Sequence, residues 1–190
     1  MTSYTYCKSS FNPFELEYIN VVSVDPGIKS MCIMIEKRCM DTESDNPPDV
    51  LFLKIWNIGE MKEDISVLIS RLTKMLDDNI AILKTCNIFL VERQMMGKKM
   101  IRICQHILTY FTMFTRKLVH PYVVIELDSR LRLKGKPRKI NSKVWSIDKV
   151  IQLLNDRHDM ETLKIVERQK AKQKSDMCDA ILQSEMYFRI

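Results

Sequence analysis

Four carboxylates carry the clearest chemical signal in this chain: Asp25, Glu92, Asp176 and Asp179. Asp25 follows the β-branched run Tyr18–Val24 and precedes Pro26-Gly27, a turn signal, so a strand is expected to end there. Glu92 follows directly on Asn87–Val91 (NIFLV), the pattern of a buried strand. Asp176 and Asp179, in SDMCDAIL, are three residues apart, which puts both on one face of a helix that Ser175 could cap. Two acids so placed repel each other by about 0.3 kcal/mol unless a cation lies between them. Any one of these acids alone is more often a solvated surface residue or a helix cap. The order strand end, strand end, helical pair is more specific than its parts. Oxygen donors suit a hard ion, and Mg2+ keeps several waters, so a few carboxylates converging from different elements suffice to hold it. Two such ions about 4 Å apart can activate a water and stabilise a leaving oxygen in phosphodiester hydrolysis. His106, His120 and His158 show no zinc-ligand spacing, and the six cysteines form no CxxC pair. They read as reduced thiols, mostly in the core.

A basic stretch accompanies the acids. Arg130, Arg132, Lys134, Lys136, Arg138, Lys139 and Lys143 are opposed by Asp128 alone, and Arg168, Lys170, Lys172 and Lys174 precede the Asp176 helix. A solvated loop would read the same way on its own, but next to a carboxylate cluster such runs fit phosphate binding, salt-dependent and without sequence readout. The formal charge of +6 agrees in sign.

The elements that must position these residues can be read from periodicity. Tyr18–Val24, Met31–Ile35, Val50–Ile55, Asn87–Val91 and Tyr122–Leu127 read as strands, and Asp41–Asp49 as a loop. Ile65, Leu68, Ile69, Leu72, Met75 and Leu76 recur at helical spacing, as do Met100, Ile103, Cys104, Ile107, Leu108, Phe111, Phe114 and Leu118 after Gly97. Two further helices are expected near Val144–Leu154 and Ser175–Phe188. The order βββαβαβα argues for an α/β domain with a mixed five-stranded sheet and helices on both faces, the layout of the ribonuclease H-like fold. With 190 residues, 46% of them hydrophobic, one domain over 1–190 is expected, with 1–18 as an N-terminal extension. No apolar run approaches the roughly 20 residues of a membrane span, and no secretory leader is seen. Neither a membrane partner nor an organic cofactor is expected; the thirteen methionines suit a plastic core or interface.

SVDPGIKSM, LVERQMMGKK, the basic PRKINSK segment and KQKSDMCDAI together resemble the successive motifs of Holliday junction resolvases related to bacterial RuvC, especially the poxvirus branch, with fungal mitochondrial relatives also similar. The resemblance spans roughly residues 20 to 188 apart from the Arg38–Asp49 loop. Asp-Pro-Gly alone is weak, and a similar turn serves actin-like kinases; Glu-Arg-Gln after a buried strand and the terminal DxxDA are more telling. The resemblance implies a metal-dependent, structure-specific endonuclease that cuts four-way and other branched DNA, leaving 5′-phosphates and resolving recombination or replication intermediates such as concatemeric viral genomes. It implies metal ligands at Asp25, Glu92, Asp176 and Asp179, two Mg2+ per site with Mn2+ as a substitute, and an assisting lysine. Lys139 aligns best with that lysine, with Lys143 and Lys134 as alternatives. DNA contacts are then expected from Arg130, Arg132, Lys134, Lys136, Arg138, Lys143, Lys172 and Lys174. A homodimer is implied too, through the Met100–Leu118 helix, whose stripe otherwise reads as core; Tyr110 and Met113 lie off that stripe. A poxvirus-like source would place the protein in the host cytoplasm, a fungal-like one in mitochondria, and the absence of an Arg-rich leader favours the first. The rivals are an RNA–DNA hybrid nuclease on the same fold and a non-catalytic DNA-binding protein.

Overall fold

Period-two alternation decides the architecture. In the computed structural model, which describes residues 3–10, 12–41 and 46–189, strand β2 (Tyr18–Asp25) sends Ile19 and Val21 to one face and Val22 and Val24 to the other. Five more strands join it: β1 (Ser3–Lys8), β3 (Met31–Cys39), β4 (Asp49–Trp56), β5 (Ile88–Glu92) and β6 (Val123–Leu127). Their order across the sheet is β1-β6-β5-β2-β3-β4. The β2–β5 and β5–β6 pairs are parallel and the other three antiparallel. One face is covered by α1 (Ile65–Asp78), the short α2 (Ile80–Leu83) and α3 (Lys98–Thr115). The other carries α4 (Ser142–Asp156), α5 (Met160–Glu167) and α6 (Ala171–Phe188).

Each helix is held by the apolar face its sequence spells out. Helix α1 buries Leu68, Leu72 and Leu76, one per turn, and each fully buried leucine contributes about 1.5–3 kcal/mol. Helix α3 sets Phe111 against Phe89 of β5 with ring centroids 4.9 Å apart. Among the described residues no helix is long and apolar enough to cross a membrane.

Four details differ from the sequence expectation. The sheet has six strands, because residues 3–8, expected within an N-terminal extension, pair antiparallel with β6 from Ser3↔Leu127 to Lys8↔Val123. Its side chains are nearly all exposed, the alternating Tyr4 and Tyr6 included, so backbone hydrogen bonds hold it and it buries no apolar face. Strand β3 continues past Ile35 to Cys39 because α6 supplies partners for its charged residues Glu36 and Arg38. The loop expected over Asp41–Asp49 gives way to β4 at Asp49, and residues 42–45 lie outside the described residues. A separate helix, α5, precedes α6, which begins at Ala171 and leaves Ser175 buried inside its second turn, where it cannot act as a cap.

Helix α6 is buried on almost every side and packs across β2 and β3. Ser23 Oγ donates to the Ala180 carbonyl at 2.8 Å, and Gln183 Nε2 donates to the Val24 carbonyl at 3.4 Å. At its far end a buried ionic cluster closes the contact. Arg38 donates to Glu36 at 2.5 Å and to Glu185 at 2.8 Å, Ser184 Oγ donates to Glu36 at 2.5 Å, and Arg157 also reaches Glu185. Burial alone would raise the Glu185 carboxyl, but Arg157 and Arg38 outweigh it and bring the pKa down to about 2.

Because that value lies below the ordinary glutamate pKa, the stability Glu185 contributes is fully present above about pH 4.5 and fades as pH falls toward 2. Glu185→Gln deprives Arg157 of its carboxylate and should cost about 3 kcal/mol at pH 7. Urea unfolding of both proteins at stepped pH should show that gap narrowing below pH 4.5, and a gap independent of pH would contradict the ionic role.

Candidate active site

The same alternation places two of the four acids. Asp25 continues the Ile19, Val21, Ser23 series onto the α6 face, and Glu92 continues Ile88 and Leu90 onto it. Strands β2 and β5 run parallel with Val24 opposite Val91, so Asp25 and Glu92 end neighbouring strands. The carboxyl edge of an open α/β sheet is where such folds place their sites. Helix α6 brings the other two: Asp176 and Asp179 share the helical face that carries Gln183, and Gln183 bonds the Val24 carbonyl beside Asp25. All four line one cavity of about 390 Å³, together with Lys29, Ser30, Gln94, Arg132 and Lys172.

The turn after Asp25 is fixed by close approach. A Cβ on Gly27 would stand 2.3 Å from the Ser30 carbonyl oxygen, so only glycine allows Ser30 to fold back, where its hydroxyl donates to Asp176. The Asp-Pro-Gly motif thus positions an α6 acid as well as its own.

Crowded acids resist ionisation. Burial and then the charges of Glu92 and Asp179 push the Asp25 carboxyl well above its usual range. Burial drives Glu92 up to about 7 against the pull of Arg132, and raises Asp179 as well. The counter-charge is Arg132, on a 3-10 turn after β6. Its Nη1 donates to Glu92 Oε2 at 2.6 Å and to the Ser129 carbonyl at 3.0 Å, and its Nε lies 3.1 Å from Asp179 Oδ1.

The expected basic residues divide into three groups. Arg132 and Lys172 line the cavity, the former among the acids and not on a free loop surface. Arg130 is tied to Asp128, which it holds down at about 2, and Lys136 donates to the Pro137 and Ile140 carbonyls. Lys134, Arg138, Lys139 and Lys143 are exposed, and Lys174 is half-buried in the first turn of α6. Lys139, expected beside the reacting phosphate, stands outside the cavity lining, whose cations are Lys29, Arg132 and Lys172. The placement of Arg132 went unread in the sequence. The signal was its neighbour Leu131, buried within a basic run, which anchors the turn and directs it inward.

No family model matches this chain. A curated relative, the uncharacterized protein 170L of Invertebrate iridescent virus 6, is 32% identical over 125 residues, covering 54% of this chain. The chain spans about half (50%) of that relative's length. Among solved structures, the fowlpox virus resolvase bound to Holliday junction DNA superposes with a TM-score of 0.60 at 15% identity, covering 90% of this chain and 99% of the resolvase. The yeast mitochondrial Holliday junction resolvase Ydc2 gives 0.59 at 18% identity, over 89% of this chain and 78% of its own. Thermus thermophilus RuvC with its junction substrate gives 0.55 at 13% identity, over 90% and 95%.

The fold is RuvC-like. In this fold the cavity lies at the carboxyl edge of β2 and β5, under α6. Gly27→Ala should force the Asp25–Ser30 turn apart, costing about 1–3 kcal/mol of stability and releasing Asp176 from Ser30. Thermal unfolding checks the first effect, and an unchanged melting temperature would mean the turn has room to spare.

Proposed function

We propose that this chain is a divalent-metal-dependent endonuclease that cuts branched DNA, chiefly four-way junctions, and so resolves recombination or replication intermediates such as concatemeric genomes. The observation that carries the reading is the convergence of Asp25, Glu92, Asp176 and Asp179 in one cavity of a RuvC-like fold. Three solved proteins of that fold are named as Holliday junction resolvases or bound to junction substrate.

The donor set fits hard divalent cations: every acid offers oxygen, and a positive guanidinium already bridges Glu92 and Asp179. Among the described residues no three of these side chains converge closely enough to share an ion in this conformation. We assign Asp25, Glu92, Asp176 and Asp179 as the ligands of two Mg2+, for which Mn2+ can substitute. When bound, such ions supply Lewis acidity toward the phosphate and lower the pKa of a water. The protein's own part is to seat the elements that carry the four acids around one cavity. The Ser23–Ala180 and Ser30–Asp176 bonds fix α6 and the Asp25 turn. Water attack with departure of the 3′ oxygen leaves a 5′-phosphate.

The exposed Lys134, Arg138, Lys139 and Lys143, with Lys172 at the cavity, would hold the DNA backbone. Lys139 remains our choice for the lysine that assists at the phosphate once that segment engages DNA. A symmetric junction has two strands to cut, so we assign a two-fold homodimer through α3. Met113 is exposed there beside Tyr110, Phe114 and Lys117 around a shallow groove. Following the viral relatives, we place the work in the host cytoplasm.

Asp25→Asn, Glu92→Gln and Asp179→Asn should each bind a synthetic four-way junction yet lose at least about a hundredfold in Mg2+-dependent nicking. Cleavage by all three at the parent rate would sink the assignment, and preferential cutting of RNA–DNA hybrids would change the substrate. Met113→Glu should convert dimer to monomer in sedimentation velocity; a parent that sediments as a monomer would remove the dimer.

A further inference from the structure

Arg132 sits where a cation would be needed. Its guanidinium contacts Glu92 at 2.6 Å and Asp179 at 3.1 Å, two of the four acids that line the cavity. We infer that Arg132 is the resident counter-ion of the cation-free site, expelled when a divalent cation binds and thereby freed to grip a DNA phosphate. This rests on the cation-binding role assigned to the four acids above.

Three observations support it. The first is competition: Glu92 Oε2 and Asp179 Oδ1 are engaged by the guanidinium, and an incoming cation needs the same oxygens. The second is an imperfect hold, since Arg132 Nε faces Asp179 at ion-pair distance yet finds no aligned hydrogen-bond partner. That half of the fork is held chiefly by charge, so an ion of higher charge competes with it for the same oxygen. The third is a way out. Leu131 is anchored in the core, so the backbone can stay put, while the Arg132 side chain keeps 18% exposure at the cavity and has a long flexible stem. The neighbouring Arg130 and Lys134 are exposed, so a released guanidinium joins charges already on the surface.

Two consequences follow from linkage. If Arg132 leaves when the cation enters, Arg132 weakens cation binding in the free protein and strengthens DNA binding in the loaded one. Cation and DNA must then favour each other, and reciprocally so. Strand-cutting competence would be confined to protein that has already exchanged its internal charge for a metal.

Isothermal titration of MgCl2 into the full chain should find Arg132→Gln binding Mg2+ about tenfold more tightly than the parent. Its metal-free form should melt at lower temperature. Arg132→Lys, which keeps the charge but loses the fork, should fall between the two and decides the matter should the glutamine variant not fold. Fluorescence anisotropy with a four-way junction in EDTA and in Ca2+ supplies the second arm. Adding Ca2+ should raise junction affinity about fivefold more in the parent than in Arg132→Gln. Equal Mg2+ affinity in parent and variants, or an equal Ca2+ gain, overturns the counter-ion role while leaving the acids as ligands. Absence of Mg2+ binding by the parent and both variants overturns the metal site itself, and this inference with it.

Discussion

Carboxylates crowded at one sheet edge are the constraint on which the rest of this structure depends. Two unit charges about 4 Å apart repel by about 4 kcal/mol at an effective dielectric constant of about 20, and a folded domain has only about 5–15 kcal/mol of stability to set against that. Four acids in a single cavity therefore cannot all stay ionised without a counter-charge. The protein answers in two ways. Asp25, Glu92 and Asp179 resist ionisation, and Arg132 is drawn in from the basic segment to bridge two of them. Both keep the carboxylates together at the carboxyl ends of β2 and β5.

Helix α6 shows how the cluster differs from an ordinary salt-bridge network. Its far end also carries a buried acid, Glu185, but there Arg38, Arg157 and Arg189 all converge on one carboxylate, whose pKa falls to about 2. At the near end several acids share one arginine, and Glu92 rises to about 7. Residues of one chemical type on one helix and its neighbouring strands are thus pushed in opposite directions by the ratio of acids to arginines. A surplus of arginine locks the helix to β3 through Arg38 and Glu36. A surplus of acid leaves unmet demand for positive charge, which is the property a cation site needs.

Much of this was legible in sequence because it obeys short periods. A step of two along Ile19, Val21, Ser23, Asp25 and along Ile88, Leu90, Glu92 fixes which face each acid meets, and a step of three pairs Asp176 with Asp179. What escaped depends on partners far away in the chain. Strand β1 buries no apolar face to mark it, since Tyr4 and Tyr6 stay exposed and its hold on β6 is made by the backbone. Glu36 and Arg38 read as the end of a strand because the residues that satisfy them, Ser184 and Glu185, lie about 150 positions later. Arg132 read as one more basic loop residue because its inward direction is imposed by Leu131 and by acids on β5 and α6.

Division of labour within the basic segment follows from the same balance. Arg130 is occupied by Asp128, Lys136 by nearby carbonyls and Arg132 by the site acids, leaving Lys134, Arg138, Lys139 and Lys143 exposed. Exposed lysines and arginines of this kind grip phosphates without reading bases, so on the proposed reading selectivity for branched DNA cannot arise from this segment's chemistry. On that reading it comes from geometry: where the two cavities of the proposed dimer stand relative to each other, and which backbone path reaches both. The seating of α6 and the Asp25 turn then acquires a second purpose, because shape selection works only if the elements that carry the acids keep their places when a strand arrives.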